Sequence, residues 1–136
     1  MVRDLGCEAK LDCMGKKKFA SERAWLRPRL RVMRKSEIAL GPGRVDLLEL
    51  IGQTGSLQAA AKRMGISYMR AWTLVKCTNR CFSEPVVEAV RGGRTGGGAN
   101  LTEAGREAIR LYRRMEKESQ TAVKGTFGKL RKALKR

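Results

Sequence analysis

The sequence predicts a mainly α fold with small β elements: a winged helix-turn-helix with a long C-terminal helix. Three observations carry that expectation. Two helical stretches, Leu57–Met64 and one capped by Ser67, are joined by a turn at Gly65. A β-rich run at 85–90 leads through a glycine-rich, basic stretch and returns at 99–101. An amphipathic stretch begins at Thr102 and continues past residue 120. The 136 residues suffice for one domain with tails, and 42% hydrophobic side chains fill one modest core.

The elements follow in order. Residues 1–27 show no clean period and carry the charge run Lys16-Lys17-Lys18, so they read as a flexible basic N-terminal extension or a short loose helix. From Pro28 onward, Leu30, Val32, Ile38 and Leu40 alternate with polar residues around Lys35-Ser36, as in a small hairpin. Gly41-Pro42-Gly43 then opens a helix, proline being tolerated in a first turn. Val45, Leu48 and Ile51, with Leu47 beside them, give that helix one apolar face, and it ends near 52–55. Ser56 caps the next helix, Gly65 ends it, and Ser67 caps a third helix running to about Arg80. Ala60 and Ala61 allow close approach, while Met64, Ile66, Ala71 and Leu74 fall where the helices must pack. The remaining face of the third helix carries Ser67, Tyr68, Arg70, Thr73 and Lys76.

Two strands around a glycine-rich tip make a wing, whose slim backbone and Arg91 and Arg94 can approach phosphates. The glycines do not form a P-loop, because no Gly-Lys-Ser/Thr follows them. Thr102 caps the final helix, and Glu103 suits its positive end. Ala104, Ala108, Leu111, Met115 and Ala122 lie on one stripe, edged by Ile109 and Tyr112. The later part of that stripe extends beyond what a small domain covers, so Ala108, Leu111, Met115 and Ala122 are expected to form a homodimer interface. Residues 124–136 hold six basic and no acidic groups and read as a basic C-terminal tail or a fraying extension of the helix. The expected organisation is therefore an extension at 1–27, a winged helix-turn-helix domain with its dimerisation helix at 28–123, and a tail at 124–136.

Charge narrows the partner. Thirty Lys and Arg against thirteen Asp and Glu give +17, with +7 on residues 1–36 and +7 on 100–136. Such a chain suits a polyanion. The absence of histidine removes Ser-His-Asp and Cys-His catalysis and every His-ligated metal site, so no enzyme and no cofactor is expected. Cys7, Cys13, Cys77 and Cys81 lack the paired spacing of a zinc site, and an i, i+4 pair on a helix suits a disulfide poorly. They read as thiols in a reducing cytoplasm. The longest uninterrupted apolar run is three residues, far from the roughly 20 of a membrane span, so no membrane partner is expected.

The segment from Leu30 to Ala122 resembles the N-terminal winged helix-turn-helix domain of ModE-type molybdate-responsive regulators. The residues that carry the likeness are Gly41-Pro42-Gly43-Arg44, Gly55-Ser56-Leu57 with Ala59-Ala60-Ala61, Gly65-Ile66-Ser67-Tyr68 with Ala71-Trp72, and the glycine run before Leu101-Thr102. It is more distantly similar to the DNA-reading domain of LysR-type regulators. The resemblance implies a bacterial, cytoplasmic, nucleoid-associated homodimer that regulates transcription on double-stranded DNA. Full-length members add C-terminal domains that bind molybdate. Only thirteen residues follow Val123 here, and they are too basic for such a domain, so molybdate binding is not expected.

The expected mechanism places the third helix in the major groove. Arg70 is assigned to a guanine edge, and Ser67 and Lys76 to phosphates, with Tyr68 and Thr73 beside them. Trp72 is either a wedge between helices or a phosphate donor through its indole N–H. Arg91 and Arg94 would hold the flanking backbone. The alternative is a non-specific architectural or RNA-binding basic protein.

Overall fold

The computed structural model describes residues 24–90 and 98–135. The elements are β1 (Val32–Arg34), β2 (Glu37–Leu40), α1 (Pro42–Thr54), α2 (Leu57–Met64), α3 (Tyr68–Cys81), β3 (Val87–Val90), β4 (Gly98–Leu101) and α4 (Glu103–Ala133). β1 and β2 form an antiparallel hairpin, with a register shift after Val32 and Lys35 at φ 54° in its turn. β3 and β4 form a second antiparallel pair, running from Val87 opposite Leu101 to Val90 opposite Gly98.

α1 lies at the centre. Gly41 precedes it in extended conformation, with Pro42 in the first turn, and Gly55 ends it at φ 65°, donating its N–H to the Ile51 carbonyl. A single apolar face was expected for this helix, but Val45, Asp46, Leu47, Leu48, Leu50 and Ile51 are all buried. The reason is its surroundings: α2, α3, α4 and β4 all pack against it. One more buried Leu at position 50 and a buried acid at 46 turn a stripe into a helix covered on most sides.

α4 closes the core and extends beyond it. Thr102 caps it, its Oγ1 accepting from Gly105 N–H at 3.0 Å and donating to the Pro85 carbonyl at 2.6 Å. Gly105 is required by close approach, since a Cβ there would lie 2.2 Å from the Val86 carbonyl oxygen. Further along, Tyr112 is fully buried, and its hydroxyl donates to the Leu30 carbonyl at 2.7 Å. Next to it, the Arg113 guanidinium bonds Asp46 and Glu49 of α1 and Glu116 of its own helix, each at 2.7 Å. Burial opposes the charge on Arg113, but the hydrogen bonds to Glu49, Glu116 and Asp46 outweigh it and hold the pKa above the usual arginine value. The helix does not stop at Val123 but continues through the basic segment to Ala133.

The expected stripe on α4 divides in two. Ala108 is only 6% exposed and belongs to the core with Tyr112, whereas Leu111, Met115 and Ala122 are exposed. At 100° per residue, position 108 leans toward 105 and 112, and positions 111, 115 and 122 fall on the adjacent face.

Tyr112 supplies a test. Burial, and then the charge of Glu116, raise its phenol above the ordinary value of about 10, against a smaller pull from Arg113. The folded state keeps the proton that the unfolded chain releases, so this contribution is intact below about pH 10 and is lost as pH rises past it. Tyr112→Phe is expected to cost about 0.5–1.5 kcal/mol at neutral pH. It should also flatten the fall in stability above pH 10, as measured by denaturant melts across pH. An equal alkaline fall in both proteins would show that Tyr112 is not its source.

Candidate nucleic-acid interface

The turn between α2 and α3 is built by its backbone. Gly65 sits at φ 69°, its N–H reaching the Lys62 carbonyl, while Ile66 N–H reaches the Ala61 carbonyl at 3.1 Å. This double closure is the Schellman arrangement, which favours glycine at the left-handed position. Ser56 Oγ accepts from Ala59 N–H and Ser67 Oγ from Arg70 N–H, both at 3.1 Å, so each helix starts on a side-chain cap. Ala60, Ala61 and Ala71 are buried where α2 and α3 meet. Val75 and Thr78 continue the inner face of α3, and Thr78 Oγ1 donates to the Leu74 carbonyl. Arg44 of α1 reaches across to Ile38 O and Thr78 Oγ1, tying α1 to both β2 and α3.

The outer face of α3 is open. Tyr68, Met69, Arg70, Trp72, Thr73 and Lys76 are all exposed. Helical spacing distributes them over three lines. Met69, Thr73 and Lys76 form the crest opposite the buried residues. Tyr68 and Trp72 lean toward the wing, and Lys76 Nζ lies 5.8 Å above the Trp72 ring. Arg70 leans the other way, in line with Cys77, toward the hairpin side where Arg80 pairs with Glu37 at 3.1 Å. Ser67 is exposed, but its Oγ is engaged as the cap. Among the described residues neither Arg70 nor Lys76 has a carboxylate partner. Of the five expected helix contacts, Thr73 and Lys76 stand on the crest, Tyr68 and Arg70 on opposite flanks, and Ser67 at the entrance. Met69, 66% exposed, is the most prominent apolar residue of the crest. It escaped sequence reasoning because a methionine in a helix usually reads as core, although its spacing to Thr73 and Lys76 was visible.

The wing base is fastened to α3 by one side chain. Asn79 Oδ1 accepts from Val86 N–H at 2.8 Å and from Val87 N–H at 3.3 Å, and Nδ2 donates to the Val87 carbonyl at 3.0 Å. β4 is fixed on the other side, with Ala99 N–H donating to the Gly55 carbonyl at 3.2 Å. Between α3 and the wing lies a cleft of about 310 Å³ whose lining includes Tyr68, Trp72, Lys76, Val87 and Ala99. Arg91 and Arg94 lie outside the described residues. Asn79 was not singled out from sequence; an asparagine inside a helix carries no signal of the strand it will meet.

Cys77 and Cys81 are free thiols. Among the described residues no group of His, Cys, Asp or Glu is arranged to hold a metal ion, and no helix is long and apolar enough to cross a membrane.

No family model matches the chain. It is similar to several curated proteins. It is 45% identical over 85 residues to "Molybdenum-pterin-binding protein MopB" of Rhodobacter capsulatus, an alignment covering 62% of this chain and 32% of that protein. "Molybdenum transport protein ModE" of Azotobacter vinelandii is 44% identical over 85 residues, again 62% of this chain and 32% of the relative. "DNA-binding transcriptional dual regulator ModE" of Escherichia coli is 42% identical over 71 residues, 52% of this chain and 27% of the relative. The chain thus aligns with about a third of the length of the curated relatives it matches. These relatives are named as transcriptional regulators, a molybdenum transport protein or molybdenum-pterin-binding proteins.

Asn79→Ala would strip two backbone N–H groups of their acceptor and one carbonyl of its donor. The expected cost is about 1–3 kcal/mol in a denaturant melt. Asn79→Asp, which keeps the acceptor, should lose less. Equal losses for the two variants would show that the bonds to the Val86 and Val87 N–H groups do not matter.

Proposed function

We propose that the chain is a sequence-specific, DNA-binding transcriptional regulator of the ModE type, acting as a homodimer on double-stranded DNA. The observation that carries this reading is the open crest of α3. It holds Met69, Thr73 and Lys76 with Arg70 on its flank, on a helix fixed by the Gly65 turn and the Asn79 bonds. A helix of about 14 residues presented on one side only fits the major groove. Thr73 and Met69 face base edges, Met69 against thymine methyl groups. Arg70 reaches a guanine, while Lys76, Tyr68 and the Ser67 entrance hold the backbone. Arg91 and Arg94, from the stretch between β3 and β4, are assigned to the flanking phosphates. The similarity to proteins named ModE supports the same reading.

The homodimer is assigned to Leu111, Met115 and Ala122. Ala108, covered by its own core, is left out of it. Pairing through α4 would set two copies of α3 one or more helical turns apart, so that two half-sites are read together. The reading assigns no molybdate site to the chain, and molybdate is expected to leave DNA affinity unchanged.

DNA affinity should fall steeply with salt. Neutralising about six phosphates corresponds to a loss of roughly 10³ between 50 and 200 mM salt. Arg70→Ala should lower affinity for the specific site about 5- to 150-fold, the range of a lost base contact, while barely changing random duplex. Lys76→Ala should weaken both. Affinities for specific and scrambled duplexes decide the matter. Equal losses on both for Arg70→Ala, or full competition by random duplex, would favour a non-specific basic protein.

Sedimentation tests the interface. Wild type is expected to run as a dimer at micromolar concentration and Met115→Lys as a monomer of 15.2 kDa. A dimer that survives Met115→Lys would place the contact elsewhere.

A further inference from the structure

α3 has a hairpin on each side, and the function proposed above uses only one of them. With Met69 as the reference, helical spacing places Tyr68, Trp72 and Asn79 on one flank of the crest and Cys77 and Cys81 on the other. On the first flank Asn79 bonds the root of β3. On the second stands the β1–β2 hairpin. Its Glu37 carboxylate lies 3.8 Å from Cys81 Sγ and accepts from Arg80 at 3.1 Å. Arg80 itself continues the crest, in line with Met69, Thr73 and Lys76. The hairpin therefore meets the crest at its C-terminal end, roughly 16 Å along the helix from Met69.

The charge of this hairpin is one-sided. Residues 27–35 hold five cations and no acid. Arg34 stands opposite Glu37 in the strand register, and Lys35 follows it in the turn. Both are exposed. Glu37 is committed to Arg80, and among the described residues neither Arg34 nor Lys35 has a carboxylate partner. Lys35 also sits at φ 54°, the left-handed region that turns fill most readily with glycine, asparagine or aspartate. The turn thus carries a cation where an uncharged glycine would adopt the backbone more easily.

A helix seated in the major groove, about 12 Å wide, has a phosphate strand on either side of it. Arg91 and Arg94, which follow β3, are assigned to one of these strands. Resting on that DNA-binding reading, we propose that Arg34 and Lys35 hold phosphates of the other strand, so that double-stranded DNA is gripped by two hairpins with α3 between them. Neither residue reads a base in this arrangement. The guanidinium and the ammonium meet phosphate oxygens, which adds affinity and fixes the seating of the crest without adding sequence preference.

The test uses the full chain. Lys35→Gly removes one charge while easing the left-handed turn, and Arg34→Thr removes the other with a residue that favours strands, so both substitutions suit the fold. Duplex affinity is followed across the salt range given above. Each variant should lower the slope of log affinity against log salt by about 0.9 and the double variant by about 1.8, with a loss of about 30-fold at about 0.15 M salt. The loss should be equal on specific and scrambled duplexes. Hydroxyl-radical footprints of the double variant should lose protection at an outer edge of the site and keep it at the centre. Lys117→Gln, which removes one charge from α4, should leave the slope unchanged. An unchanged slope in the double variant, or an equal drop with Lys117→Gln, would overturn the proposal and leave the DNA-binding reading intact. So would an unchanged slope accompanied by lost binding to anionic vesicles, which assigns the hairpin to a bilayer. Wild type that binds no duplex would overturn the proposal and the reading together.

Discussion

α1 is thirteen residues long and must be hidden on most sides, and the rest of the domain is arranged to hide it. Its buried residues, Val45 through Leu48 with Leu50 and Ile51, are covered from different directions by α2, α3, β4 and α4. Each covering element has limited freedom. α2 and α3 approach through alanines, β4 hooks onto Gly55, and α4 approaches β3 so closely that Gly105 has no room for a side chain. The angle at which α3 presents its crest therefore follows from how a small core closes around one helix. Arg113 meets the acid buried in that helix, Asp46, and also pairs with Glu49 and Glu116. Such a network adds little net stability compared with apolar packing, but removing the arginine would strand buried charge at a cost of about 3–5 kcal/mol.

The same logic explains how a chain of +17 folds. Its carboxylates are spent close to home. Glu37 meets Arg80, Glu103 meets Arg106, Glu107 meets Arg110, and Glu118 meets Arg114, mostly one turn apart along α4. In the Glu107–Arg110 pair the hydrogen bond lowers the acid's pKa and raises the base's, so both stay charged through the neutral range. Exposed pairs of this kind contribute little stability. Their effect is on the distribution of charge: much of the flank of α4 is balanced, and among the described residues the surplus collects on 27–35, on α3 and on the last turns of α4.

Much of this was legible before any coordinates. The hairpin around Lys35-Ser36, the bounds of α2, the Ser56, Ser67 and Thr102 caps and the glycine turn follow from local chemistry, where a single residue type dictates a backbone geometry. What escaped depends on partners distant in sequence. α1 read as one-faced because the number of neighbours around a helix is a tertiary fact. The α4 stripe read as one surface because Ala108 and Leu111 differ by less than a quarter turn, and only the position of α1 separates buried from open. Asn79 and Gly105 were missed for a related reason. The strand that each one meets lies across a turn whose path the residue types do not fix. Met69 was visible by spacing and overlooked by polarity.

The Asn79 bonds have a consequence for how such a protein can change. They grip the wing at Val86 and Val87, at its root, and β4 is gripped at Ala99. The paired strands extend from there to Val90 and Gly98, and no described hydrogen bond from α3 reaches beyond the root. A change of length between Val90 and Gly98 leaves the described bonds that hold α3 to the root in place. On the proposed DNA-binding reading, the length of duplex embraced and the bases preferred are encoded in parts of the chain that mutate independently. On that reading, a lineage built on this scaffold can lengthen its footprint while keeping its vocabulary, or exchange Arg70 and Thr73 while keeping its reach.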